Sequence, residues 1–106
     1  MILTTTNSIE GFTIIAYNGI VSGIAVNIQK TKITFNMQKY YAGVSESINE
    51  IKEQAFIQLK ENAEKLNANA IVGIKVDIEQ KESGTISVIA TGTAVSIIKE
   101  STAINY

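Results

Sequence analysis

Only one stretch of this chain carries the periodicity of a helix, and it is long. In SESINEIKEQAFIQLKENAEKLN, Ser45 to Asn67, apolar residues recur at Ile48, Ile51, Ala55, Leu59, Ala63 and Leu66. Steps of three and four put them on one face, and Phe56 and Ile57 widen the stripe. Ser47 with Glu50 fits a capping box. Glu46, Glu50 and Glu53 sit toward the positive end of the helix dipole and Lys65 toward the negative end. Asn67 or Asn69 suits the left-handed residue that ends a helix. A lone amphipathic helix cannot cover its own stripe, so it must lie on a flat apolar surface.

The rest of the chain supplies that surface. In AIVGIKVDIEQ, Val72, Ile74, Val76 and Ile78 alternate with Gly73, Lys75, Asp77 and Glu79. A period of two predicts a strand with one buried and one wet face. Lys81 to Gly84 predicts a turn, and TISVIATGTAVSIIK returns as a second long strand. Its phase changes from Ile86, Val88 and Ala90 to Val95 and Ile97, which predicts a bulge or bend near Gly92. Before the helix, GFTIIAYNG and IVSGIAVNIQ predict two strands joined by a tight turn at Asn18-Gly19. ITFNMQ alternates through Ile33, Phe35 and Met37 and fits a further strand. The expected fold class is α+β: two layers, one long helix on an antiparallel sheet, in a single domain spanning 1–106.

One helix is ~10–12 Å wide and strands lie ~4.8 Å apart, so it covers two or three strands. Yet Ile14/Ile15, Ile20/Val21, Val88/Ile89 and Ile97/Ile98 put apolar side chains on both faces of their strands. Surplus apolar surface of this kind points to self-association.

Composition removes several chemistries. The 106 residues include no Cys, His, Trp or Arg, and the formal charge is −1. Disulfides, thiolate nucleophiles and the commonest general base are excluded. All basic charge rests on nine Lys with no clustered patch, so no nucleic-acid partner is expected. No segment has the ~18 apolar residues of a membrane span, and the N-terminus lacks a signal peptide's positive region. A cytoplasmic, non-enzymatic protein is the expectation.

Two features carry candidate chemistry. Asp77 and Glu79, two apart on a strand, point the same way ~7 Å apart. With Glu82 they could hold a hard divalent metal ion through oxygen ligands, or be an ordinary solvated face beside Lys75 and Lys81. The hydroxyl-rich TTTNS, Thr4 to Ser8, could donate to an anion or begin a strand or turn. Gly23 and Gly92 permit close backbone approach by a ligand or, in these apolar surroundings, by another subunit.

The blocks ILTTTNSIEG (Ile2–Gly11), GIVSG (Gly19–Gly23), ANAIVGIKVDIE (Ala68–Glu79) and ATGTAV (Ala90–Val95) resemble the signature blocks of the YbjQ-like proteins, a small bacterial family labelled heavy-metal-binding with no established activity. They occur in the family's order. The resemblance implies a dodecin-like subunit and a ring-shaped homo-oligomer of five. A cation site built on the family's acidic run is weaker here, because Lys75 replaces one acid and Ile78 an aromatic residue while Asp77 and Glu79 remain. A Gly- and Arg-containing block common before the helix in relatives is here YYAGVSESINE, Tyr40–Glu50, without Arg. The candidate ligand residues are therefore Asp77 and Glu79, for a divalent metal, and Thr5, Asn7 and Ser22 in the small-residue blocks.

Overall fold

The computed structural model describes residues 1–28, 37–82 and 84–101, with side chains for all of these except 28 and 37–47. Its elements are β1 (Ile2–Leu3), β2 (Phe12–Ile28), α1 (Met37–Lys65), β3 (Ala70–Gln80) and β4 (Thr85–Lys99). They form one four-stranded sheet in the order β1-β3-β4-β2, with α1 on one face. The α+β expectation holds, but the sheet is mixed. Short β1 runs parallel to β3, whereas β3–β4 and β4–β2 are antiparallel.

The expected hairpin at Asn18-Gly19 does not form. β2 is a single strand paired with β4 from Phe12↔Lys99 to Ile28↔Thr85. Register shifts at Ile14/Ala16 and Tyr17/Gly19 absorb the irregularity. Gly19 (φ 144°) gives the bulge its positive φ, the same freedom a tight turn would use. Asn18 is held in place by both ends of its amide: Nδ2 donates to the Leu66 carbonyl at 2.8 Å, and Oδ1 accepts from Ser96 Oγ at 3.0 Å.

The helix begins at Met37, eight residues before the expected Ser45, so Ser47 and Glu50 lie in its interior and not at its N-terminus. Glu46, Glu50 and Glu53 are likewise mid-helix, while Lys65 does lie in the last turn. Of the expected strand ITFNMQ, residues 33–36 lie outside the described residues, and Met37 and Gln38 are helical. The helix ends as expected: Asn67 takes φ 61°, and the Ala68 N–H returns to the Ala63 carbonyl.

Ile51, Ala55, Leu59 and Ala63 are buried against β2 and β4. Phe56 packs beside them, but Ile57 is 54% exposed and Leu66 lies past the helix end over Gly19. The closest approach is at Gly23. A Cβ there would collide with the Ala55 carbonyl oxygen and sit 2.8 Å from Leu59 N. The neighbour that needs this glycine is thus the chain's own helix, not a ligand or a second subunit.

β4 alternates without interruption, placing Ile86, Val88, Ala90 and Ala94 in the helix-side core. The bulge expected at Gly92 lies instead across the ladder in β3, between Val72 and Lys75, where Gly73 adopts φ 62°. That bulge shifts the phase of β3: Ile71, Ile74 and Val76 face the helix, while Val72 faces away. Gly92 makes room for it, since a Cβ there would lie 2.7 Å from Ile71 Cγ2 and 3.0 Å from Ile74 Cγ1. Val95 and Ile97 leave the helix face because a second cluster covers them. On the far face they join Ala70 and Val72 under Ile9, Phe12 and Ile14. Lys81 to Gly84 is the expected turn, closed by Lys81 N–H to the Thr85 carbonyl at 2.8 Å.

The molecule is long and thin, 69 × 29 × 16 Å, with a radius of gyration of 18.2 Å. A compact domain of this length would have about 13 Å.

Candidate functional surfaces

The candidate residues divide between two surfaces. On the helix side, α1 sits over β2 and β4 and scarcely reaches β3. The uncovered strip of β3 becomes a groove of about 540 Å³. Leu3, Phe56, Ile57, Ile74 and Val76 line it, with Thr4, Thr5, Glu53 and Lys60 among its polar groups. Glu53, Phe56, Ile57 and Lys60 follow one flank of the helix at steps of three, one and three. This flank is what the sequence reading missed. Its signal was the mixed charge and apolar character of a helix side read only for its buried stripe.

Thr5 therefore lies in the groove. Asn7 does not: it sits by the β3 bulge, its Oδ1 3.5 Å from where a Cβ on Gly73 would be. The TTTNS run is occupied in holding itself and β3. Thr4 and Thr6 hydroxyls are 2.7 Å apart, and Thr6 Oγ1 donates to the Ser8 carbonyl at 2.6 Å. The Thr4 carbonyl accepts from Ile74 N–H at 3.1 Å and the Thr6 carbonyl from Gly73 N–H at 2.8 Å. The run thus pairs with the bulge where β1 stops. Lys60 and the threonines share a groove, but Thr4 Oγ1 is bonded to another hydroxyl, not to a base that would activate it.

The opposite face of the sheet holds Ser22, Asp77 and Glu79. Ladder register places Lys75, Thr91 and Ser22 in one row, Asp77, Ile89 and Ile24 in the next, and Glu79, Ser87 and Val26 in a third. Ser22 and the acids share a face but lie two strand spacings apart, about 10 Å. This face is banded. Along β3 it is charged and wet; along β2 it is apolar and bare, with Ile20 80% and Tyr17 74% exposed and Ile24 and Val26 more than half exposed. The small cluster around Phe12 covers only the end near Val95 and Ile97. Of the four doublets, Ile14, Val21, Val88 and Ile97 turn inward, while Ile15, Ile20 and Ile98 stay exposed.

The acids do not form the three-residue set considered with Glu82. Among the described residues no three His, Cys, Asp or Glu side chains gather around a common point. Asp77 and Glu79 remain an exposed pair on one strand face. Among the described residues no helix is long and apolar enough to cross a membrane.

A long helix laid off-centre on a four-stranded mixed sheet, with the β2 side of the far face left exposed, defines a small α+β protein. Residues 1–98 match the YbjQ family model, described as "Putative heavy-metal-binding", and the chain belongs to that family. It is 37% identical over 105 residues to the UPF0145 protein of Acetivibrio thermocellus, covering 92% of this chain and 99% of that one. A UPF0145 protein of Halalkalibacterium halodurans is 33% identical over 112 residues, covering 95% and 100%. Among solved structures, a protein of unknown function of the DUF74 family from Pediococcus pentosaceus superposes with a TM-score of 0.70. That likeness covers 92% of this chain and 98% of that one at 22% identity, and so speaks to the fold.

Proposed function

We propose that this protein is a cytoplasmic, non-enzymatic, self-associating binding or scaffold protein, assembled as a ring of five copies. The observation that carries the reading is the bare apolar row of β2, with Ile20 80% exposed and Ile24 and Val26 beside it on one face. Covering such a side chain is worth about 1.5–3 kcal/mol. Weighted by their exposure, the three recover about 3–6 kcal/mol against an association cost of about 4–15 kcal/mol. A single patch is marginal for a pair, and a closed ring, where every copy uses two surfaces, fits the numbers better. The thin, extended shape agrees, because a 16 Å thickness leaves little interior of its own.

Light scattering coupled to size exclusion tests it. The expected mass is about five times 11.5 kDa, and Ile20→Lys/Ile24→Lys is expected to fall toward 11.5 kDa. A wild-type protein running at 11.5 kDa at micromolar concentration would refute the reading.

A second reading follows the family description: a divalent or heavy-metal-binding protein using carboxylates. The exposed pair Asp77 and Glu79 favours it, since oxygen ligands on one strand face suit a hard cation, and a ring would bring further ligands from neighbouring copies. Calorimetric titration with Mg²⁺, Ca²⁺, Zn²⁺ and Cu²⁺ tests this. Loss of binding in Asp77→Asn/Glu79→Gln is expected, and unchanged affinity would reject these two as ligands.

A further inference from the structure

An edge strand presents a row of unpaired N–H and C=O groups to any other strand that comes alongside. β2 is an edge of this sheet and the longest strand in the molecule, at 17 residues. Its middle is nevertheless closed. Gln58 Oε1 accepts a hydrogen bond from the Ile24 backbone N–H at 2.5 Å. Asn62 Nδ2 donates to the Ser22 carbonyl at 2.8 Å. In a strand, the C=O of one residue and the N–H of the residue two further on point to the same side. Ser22 and Ile24 therefore offer the acceptor and donor that a neighbouring strand would take. The two amides come from successive turns of α1 and supply the complementary donor and acceptor. Gly23, between the two bonded residues, lets the helix come near enough for side chains of this length to reach over the edge.

We propose that Gln58 and Asn62 act as a surrogate strand, closing the β2 edge so that a second copy docks on the bare face through Ile20, Ile24 and Val26 and not by strand addition along β2. The inference deepens the self-association reading and rests on it for the partner's identity. It turns an aggregation-prone edge into one that limits assembly to a finite particle. The side chains of Ile20, Ile24 and Val26 project from the sheet face, perpendicular to the closed edge, and remain free for contact.

The test uses the full chain with Gln58→Ala, Asn62→Ala and the double variant. Amide exchange at Ile24 is read by NMR or mass spectrometry, and the mass distribution by light scattering across a concentration series. In the double variant, exchange at Ile24 is expected to quicken about tenfold, the loss of one net hydrogen bond. Species heavier than the wild-type particle are expected to grow with concentration. Gln58→Glu keeps the acceptor and is expected to retain Ile24 protection. The single variants each leave one amide in place and serve if the double variant is unfolded by circular dichroism. Unchanged Ile24 exchange would overturn the closed edge. Faster exchange with a wild-type mass distribution would overturn its role in assembly. If the wild type is itself a monomer, the ring reading fails, while growth of the double variant into larger species would still support edge closure.

Discussion

Gly23→Ala is a one-carbon change with a large expected cost. The added Cβ meets backbone, the Ala55 carbonyl and Leu59 N, so no rotamer change relieves it and the helix must lift from β2. Leu59 and Ala55 directly above are fully buried, and Ile51 is 1% exposed. A buried leucine makes about 40–60 contacts of roughly 0.1–0.2 kcal/mol, and a gap near 1 Å forfeits a quarter to a half of each one stretched. If a third of the contacts of Leu59 and Ile51 face the sheet, the loss is about 2 kcal/mol. The bonds from Gln58 and Asn62 to the β2 edge weaken by about 1 kcal/mol each. Alanine in a strand regains roughly 0.5–1 kcal/mol of backbone entropy. The net loss is about 3–4 kcal/mol, a large share of the 5–15 kcal/mol that holds a domain together. In a thermal melt at fixed protomer concentration this is a fall of roughly 15–30 °C. Gly92→Ala is the internal control. Its nearest neighbours are side-chain atoms, Ile71 Cγ2 and Ile74 Cγ1, with the Val72 carbonyl oxygen farther off at 3.2 Å, and an overpacking loss of about 1–3 kcal/mol is expected. A Gly23→Ala melt within a few degrees of wild type, or above that of Gly92→Ala, would show that the helix does not bear on β2 at this point.

Two further stability predictions follow from single side chains. Asn69 bonds both backbone groups of Ile97, accepting its N–H at 2.7 Å and donating to its C=O at 2.9 Å. Asn69→Ala strands both on a residue 7% exposed, and urea unfolding is expected to show a loss of about 2–3 kcal/mol. Asn67 ends α1 at φ 61°; Asn67→Ala is expected to cost about 1 kcal/mol, and Asn67→Gly little or nothing, in the same assay.

The elements that were legible in the sequence are those whose pattern and environment agree. The Ile51–Ala55–Leu59–Ala63 stripe and the stretch of β3 from Ile74 to Asp77 obey one rule each along their length. The errors cluster where a residue type serves two geometries. Asn18-Gly19 provides positive φ for a two-residue turn or for a bulge, and only the partner strand decides. β4 is long enough to pair with β2 on both sides of Gly19, so the bulge wins. Likewise Gly73 looked like one more small residue on the wet side of an alternating strand. Its φ of 62° inserts a half-step that moves Val72 to the opposite face, a change in which no residue type departs from the pattern. The surface candidates were only half legible for a related reason. Asp77 and Glu79 share a face because they are two apart on a regular segment. Thr5 and Asn7 are also two apart, but on a turn, and they part company.

The lateral position of the helix is the quantity from which the surface properties descend. A helix centred over β4 would have covered β3 and β2 about equally, leaving no groove and reaching neither edge. Gly23 removes the side chain that would keep it off β2, while Ile74 and Val76 on β3 keep theirs, so the helix settles toward β2. That offset brings Gln58 and Asn62 to the outer edge of the sheet and leaves β3 uncovered between Leu3 and Phe56. It does nothing for the far face, which lies on the other side of the sheet from α1. Among the described residues the cover there is Ile9, Phe12 and Ile14 at one end, and Ile20, Ile24 and Val26 stand exposed beyond it. Residues so exposed, on a strand whose outer edge the helix already bonds at Ser22 and Ile24, are better placed for a contact through the face than for open-ended sheet growth.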